Sequence, residues 1–287
     1  MSQASANAID SRSGKGVSIG KIILYIVLIA LSVFTLIPFV WMISASLKLD
    51  REVFTFPMKW IPETFHWENY SLIWSKVPML MYFKNTAIIA ICVTFIQTLT
   101  SSFAAYAFAK LRFRGRNVLF MAYISTIAVP WQAYMLPQFI LMRSFGLYDR
   151  LLAIMVLQAF SAFGVFLMRQ FYQNIPNELC EAARIDGLSE YGIWARIMLP
   201  LSTAAIATLV IFTFVGTWND YMGPMIYLTR EENKTIQIGL RRFIQENSSD
   251  YHLIMAASVV SLIPVSVVFL TLQRYFIEGI ATSGLKG

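Results

Sequence analysis

Asn174-Ile175-Pro176-Asn177-Glu178-Leu179-Cys180-Glu181-Ala182-Ala183-Arg184-Ile185-Asp186-Gly187 is a polar, helix-forming stretch set between two long apolar runs. Pro176 suits the first turn of a helix, where its missing N–H is no loss. Glu178 and Glu181 then stand near the positive end of the helix dipole. Gly187 suits the position just past the helix end, where left-handed geometry is needed. A second short helix is expected from Ser189 towards Ile197, after which Leu199-Pro200 turns the chain into the next apolar run. The segment therefore reads as a short helix outside the bilayer, capped at both ends. Ala182 and Ala183 give it a low-profile face that another protein could approach closely. The alternative is an ordinary interfacial helix, which would carry an apolar face and a basic polar face. Here Glu178, Glu181, Asp186 and Glu190 stand against Arg184 and Arg196, a balance that suits protein docking better than anionic lipid.

Working outward, the flanking runs identify the solvent. The 287-residue chain is 57% hydrophobic and only 14% charged, where a soluble domain carries roughly a quarter charged residues. A first span is expected from Ile22 to about Leu47, too long for a signal-peptide core, with Pro38 a kink point. Further spans are expected at about Tyr82–Ala109, Val118–Met142, Leu151–Met168, Leu201–Leu228 and Leu253–Leu272. Each can cover a bilayer core of about 30 Å. The predicted fold is all-α: a polytopic membrane protein with six transmembrane helices and a short cytoplasmic helix. Its segments are a cytoplasmic tail at 1–21, the six-helix transmembrane domain at 22–276 with the loop 171–200, and a cytoplasmic tail at 277–287. The aromatic stretch 48–80, with Phe54, Phe56, Trp60, Phe65, Trp67 and Trp74, suits headgroup depth.

Orientation rests on Lys and Arg. Their totals on the two faces nearly match, but the short loop holding Lys110, Arg112, Arg114 and Arg116 has no acid. It places that face, and both termini, in the cytoplasm. The net charge of +7 belongs to such helix ends, and nucleic acid is not an expected partner; membrane lipid is. Cys92 and Cys180 form no framework, and His66 and His252 lack ligand spacing, so no metal site is expected. Ser13-Gly14-Lys15-Gly16 lacks both the Ser/Thr after lysine and the preceding strand of a phosphate loop. The chain is expected to bind no cofactor of its own and to be no enzyme.

Within the spans, Asp220 beside Asn219 is the acidic exception, and an ionisable residue there is a functional candidate by default. A polar structural or gating role, substrate contact, and an interfacial place all stay open. Trp131, Gln132, Tyr134 and Gln138 interrupt the third span next to Pro130 and Pro137. Rings and amides suit a sugar cavity, although helix packing is their commoner use. Gly216, Ala104, Ala105 and Ala107 read as close-packing positions.

The run Glu181-Ala182-Ala183, Asp186-Gly187, then Ile197-Met198-Leu199-Pro200 resembles the EAA motif of ATP-binding-cassette (ABC) importer permeases. Ser101-Ser102-Phe103-Ala104-Ala105-Tyr106-Ala107-Phe108-Ala109, Trp218-Asn219-Asp220-Tyr221 and Gln273-Arg274-Tyr275-Phe276 are similar to the carbohydrate branch, in particular to maltose-transporter G-type permeases. The resemblance implies a bacterial inner-membrane protein with a second permease of six to eight spans. It also implies two cytoplasmic ABC ATPases that use ATP and Mg, and an extracytoplasmic solute-binding protein. It implies that Glu181, Ala182, Ala183, Asp186 and Gly187 couple to the ATPase, with Glu181 as salt-bridge candidate. Residues 229–252 would reach towards the binding protein and the region of Gly284 towards the ATPases. For a translocation pathway the candidates are Trp131, Gln132, Tyr134, Asn219 and Asp220. The competing reading is a gradient-driven secondary transporter, which usually buries carboxylates or histidines as relays. Spans one to four and span six contain none.

Overall fold

The computed structural model describes residues 19–244 and 250–284. Most of the expected tail at 1–21, including Ser13–Gly16, and the end of the tail at 277–287 lie outside the described residues. The described chain is helical, without a β-strand. Three helices are long and apolar enough to cross a membrane alone, and three bent pairs bring the number of passes up to six.

Helix α1 (Ile19–Ser46) runs through Pro38 without a break. Its whole apolar window stays exposed, and it packs mainly on the last helix. Helix α2 (Met79–Lys110) is 32 residues long because nothing in it interrupts the ladder: Pro78 precedes its first residue, and Leu111 leaves it in extended conformation. Gly115, at φ 79°, supplies the left-handed turn into α3 (Arg116–Ser125). A 3-10 turn, Thr126–Ala128, extends α3 to Val129, which is extended. Pro130 imposes that geometry on the residue before it.

The third pass expected at Val118–Met142 is thus two helices, α3 and α4 (Trp131–Ser144), bent by 99°. Each half is about 20 Å long at 1.5 Å per residue, too short to cross alone. Pro137, by contrast, sits inside α4 and breaks nothing. The fourth pass is α5 (Leu151–Leu157) and α6 (Ala162–Gln173), bent by 45°. Helix α7 is Asn177–Ile185. The second short helix extends past Ile197: α8 spans Glu190–Leu201, contains a π-helical turn at Trp194–Met198, and carries Pro200 inside it. The chain turns by 83° at Ser202, not at Leu199-Pro200. The fifth pass then starts at α9 (Thr203–Trp218), breaks at 219–221, and resumes as α10 (Met222–Tyr227). Helix α11 (Tyr251–Gly284) is longer than the expected Leu253–Leu272 and runs through the boundary drawn at 276/277.

Helix α2 is the spine. It packs against α6 and α9, and α9 packs against α11. One apolar cluster gathers Ala105, Tyr106, Met168, Tyr172, Cys180, Ala183, Ile193 and Leu209. A second gathers Met79, Tyr82, Trp218, Ile236 and Leu253. A third joins Ile89 and Val93 to Ala153, Ile154 and Tyr227. The expected small-residue packing holds for Ala105, which is fully buried. The tightest approach is instead Gly164 against Ser101 and Leu209, where an added Cβ would overlap the Ser101 side chain. Gly216 does not pack within the chain: it is exposed, with open space where a Cβ would stand.

The loops sort into two groups, which fixes the alternation of passes. At one end, Asn69 donates to the carbonyls of Ser46 and Lys48, Lys76 pairs with Asp250 at 2.8 Å, and Asp50 accepts from the Tyr251 amide at 2.8 Å. The loop after α4 joins this end, because Asp149 binds the 229–233 loop. At the other end Lys110 donates to Asn177 Oδ1 at 2.8 Å, and Tyr106 to Glu190. Both α1 and α11 direct their free ends towards this second end, here called the coupling end.

Candidate functional site

Two places carry chemistry, one at the coupling end and one in the middle of the bundle. At the first, α7 begins after Pro176, which is its N-cap and not a residue of its first turn. Its far end is a complete Schellman motif: Gly187 N donates to Arg184 O at 3.1 Å and Leu188 N to Ala183 O at 2.9 Å. Gly187 supplies the required left-handed residue at φ 82°. Ser189 then caps α8, accepting from Gly192 N at 3.2 Å. Across this turn the Arg184 guanidinium grips Glu190 through both oxygens, at 2.7 and 3.2 Å. That pairing, helped by the Tyr106 hydroxyl, holds the Glu190 carboxyl below the usual range despite partial burial.

The helix has two faces. Cys180 and Ala183 point into the core, where burial pushes the Cys180 thiol up and its sulfur lies 3.8 Å from that of Met198. Glu178, Glu181, Ala182 and Ile185 form the outward stripe, at i, i+3, i+4 and i+7. Ile185 is 87% exposed, an unusual place for isoleucine on a helix with this many acids. Asp186 and Gly187 are exposed at its end. The low-profile outward face expected from Ala182 and Ala183 together is therefore Ala182 alone; Ala183 is spent on packing. A polar groove of about 540 Å³ beside the stripe is lined by Lys110, Arg112, Arg116, Asn177, Glu181 and Arg184.

The second place is a cavity of about 500 Å³ where the three broken passes meet. Trp131, Tyr134 and Gln138 enter it from α4, just past the Pro130 bend. Gln158, Phe160 and Ser161 come from the α5/α6 break, and Thr213, Gly216, Thr217 and Asp220 from α9 and the break after it. Gln97, near the middle of α2, closes the wall. Irregular backbone at membrane depth survives where it lines a cavity or finds side-chain partners. Here Thr100 donates to the Ala159 carbonyl at 2.7 Å, and Ser161 caps α6 through Gly164 N at 3.0 Å.

The cavity's polar side chains are ordered by one another. Thr217 donates to Gln158 Oε1 at 2.9 Å, and Gln158 Nε2 donates to Asp220 Oδ2 at 2.8 Å. Asp220 Oδ1 accepts from Gly223 N at 3.1 Å, which caps α10. Gln138 Oε1 accepts from Trp131 Nε1 at 3.0 Å and from Tyr227 at 3.3 Å. Of the five pathway candidates the structure brings Trp131, Tyr134 and Asp220 together. Gln132 and Asn219 are exposed elsewhere, and Asn219 binds Val215 O and Gln237. Gln97, Gln158 and Thr217, which the sequence reading did not single out, also line the wall; the two glutamines interrupt apolar runs, a signal that could have marked them.

The model of the family described as binding-protein-dependent transport system inner membrane component matches residues 97–282. The arabinooligosaccharides transport system permease protein AraQ of Halalkalibacterium halodurans is 33% identical over 227 residues, covering 79% of this chain and 81% of that protein. The lactose transport system permease protein LacG of Rhizobium radiobacter is 30% identical, covering 91% and 95%. The sn-glycerol-3-phosphate transport system permease protein UgpE of Yersinia pestis is 32% identical, covering 94% and 98%. Among solved structures, a chain of a bacterial ABC transporter involved in the import of the acidic polysaccharide alginate superposes with a TM-score of 0.79. It is 26% identical, covering 94% of this chain and 100% of that one.

Proposed function

Because the chain belongs to the family of binding-protein-dependent transport system inner membrane components, a family of ABC importer permeases, we propose that it imports a carbohydrate by ATP-driven alternating access. In this reading it forms half of the translocation pathway, beside a second permease, and an extracytoplasmic binding protein delivers the cargo. Two cytoplasmic ATPases dock at the coupling end, so that end and both termini face the cytoplasm. ATP and Mg act at the ATPases. The gradient-driven alternative is set aside by the family itself.

The observation that carries the coupling role is the outward stripe of α7. Glu178, Glu181 and Ala182 surround Ile185 on a surface exposed within this chain, on a helix braced on its opposite face by the core. A push on such a helix travels. The Arg184–Glu190 clamp and the Schellman turn make α7 and α8 move together, and Ser202 joins α8 to α9. Helix α9 in turn supplies Thr213, Gly216 and Thr217 to the cavity. Closure of the ATPase pair therefore reaches the cargo site along the chain, through α7, α8 and the turn at Ser202 into α9. Glu181 makes the charge contact with the ATPase, Ala182 and Ile185 the close one, and Asp186 and Gly187 set the turn; Ala183 acts from the core.

The test is ATP hydrolysis by the complete importer with cargo-loaded binding protein. Glu181→Lys is expected to abolish the cargo-stimulated rate while the chain still inserts into the membrane. Unchanged stimulation would remove Glu181 from the coupling surface.

A further inference from the structure

Asp220 is the single Asp or Glu on the described cavity wall, and no Lys, Arg or His lies among the described wall residues. Its two oxygens each accept one hydrogen bond, from Gly223 N and Gln158 Nε2. A carboxylate offers about four acceptor positions, so this one keeps acceptor capacity after its structural bonds are made. The rest of the wall is neutral. Gln97 carries no side-chain hydrogen bond to another described residue, Gln138 has its oxygen filled and its nitrogen open, and Thr217 and Tyr134 offer hydroxyls. Trp131 and Tyr134 add ring faces.

A sugar hydroxyl both donates and accepts, so it can satisfy the carboxylate and the amides at once. A phosphate dianion or a uronate carboxylate only accepts, and it meets Asp220 as a like charge. At an effective dielectric near 20 and a separation of several ångströms, that repulsion is worth roughly one to two orders of magnitude in binding. Relatives named above for neutral and for anionic cargo both exist, so the family does not decide the matter.

We propose that Asp220 is a specificity-determining residue, which makes this cavity accept uncharged polyhydroxyl cargo and turn away phosphorylated or uronate cargo. The proposal rests on the reading that the cavity is part of the translocation pathway. Asp220 serves two purposes with one side chain. It caps α10 and so builds the break, and its charge sets the sign of what the break admits. Gly223 is part of the same arrangement, since a Cβ there would press on the Asp220 carboxylate.

The experiment uses the complete importer in nanodiscs, with Cys92 and Cys180 replaced by alanine and Gly216→Cys as reporter. Gly216 faces the cavity, and a Cβ there meets nothing within 4 Å. The rate of maleimide labelling is measured with four probes: a neutral trisaccharide, an oligouronate of the same length, glycerol, and sn-glycerol 3-phosphate. The neutral trisaccharide is expected to protect the thiol at concentrations about tenfold or more below the oligouronate. Glycerol should likewise protect better than its phosphate. Asp220→Asn keeps an oxygen for Gly223 N, and Gln158 can flip because the Thr217 hydroxyl accepts as well as donates. It should shrink the neutral-over-anionic ratio by roughly tenfold. Gln97→Lys tests the same point without touching the α10 cap, and should shift protection towards the anionic probes. Equal protection by neutral and anionic probes overturns the selectivity and leaves the cavity as pathway. So does a ratio unmoved by both variants. Protection by no probe removes the cavity from the pathway, and the selectivity with it.

Discussion

Gly187 shows how one residue holds a functional surface in place. At φ 82° with no atom within 4 Å of a would-be Cβ, its requirement is purely conformational, on the order of 1–2 kcal/mol for a non-glycine residue. Asparagine tolerates that region and valine does not. Gly187→Asn is therefore expected to keep most cargo-stimulated ATPase activity and Gly187→Val to lose it, at similar levels of membrane insertion; equal activity of the two would contradict the turn's role. Asp149 is the counterpart at the opposite end. It too is left-handed, at φ 59°, and its side chain is 8% exposed. Burial alone would raise its carboxyl, but Arg230, the amides of Thr229 and Arg230, and Asn233 hold it down to about 2. A carboxyl depressed in the fold contributes stability above its ordinary value of 3.8, and that stability disappears as pH falls from about 4 to about 2. Asp149→Ala should cost roughly 2–3 kcal/mol at neutral pH. The measurement is the melting temperature of the purified importer against pH. The variant should melt lower near pH 7, and its difference from the parent should narrow below about pH 4 and close only as pH falls to about 2.

At the scale of elements, sequence periodicity locates apolar runs well and bends poorly. The polar helix, its terminal glycine and the six apolar runs were legible because burial and capping leave local signatures. The breaks were not. Pro130 and Pro137 look alike in sequence, yet Pro130 bends the chain by 99° and Pro137 sits within a helix. What separates them is tertiary: the bend at Pro130 sets Trp131, Tyr134 and Gln138 against the wall that α9 completes. The outward face of α7 was half legible. Ala182 and Ala183 are identical side chains, and only the position of the core decides that Ala183 faces inward. Close packing gives a further test at this scale. Gly164→Ala should destabilise the α2–α6 contact by about 1–3 kcal/mol, and Ser101→Gly in the same chain should recover much of it. Thermal unfolding of the two variants reads this; additive effects would show that the two residues do not share one contact.

At the scale of the whole molecule, the chain is a bundle whose two ends are tied differently. The opposite end is held by charged and amide contacts among long loops, and the coupling end by one clamped pair of short helices. The exposed α1 and the open side of the cavity fit the proposed assembly with other subunits. The alternation of passes predicts that single cysteines at Ser189 and Thr229 label from opposite faces of the membrane; labelling of both from one face would break the six-pass arrangement. If α7 is the surface on which an ATPase acts, a photocrosslinker at Ile185 in native membranes will capture that subunit, with the product identified by mass spectrometry. A covalent adduct to an ATP-binding-cassette subunit is expected, lost when the flanking Glu181→Lys change prevents docking. An adduct to lipid alone, in membranes where the importer is assembled and active, would contradict it.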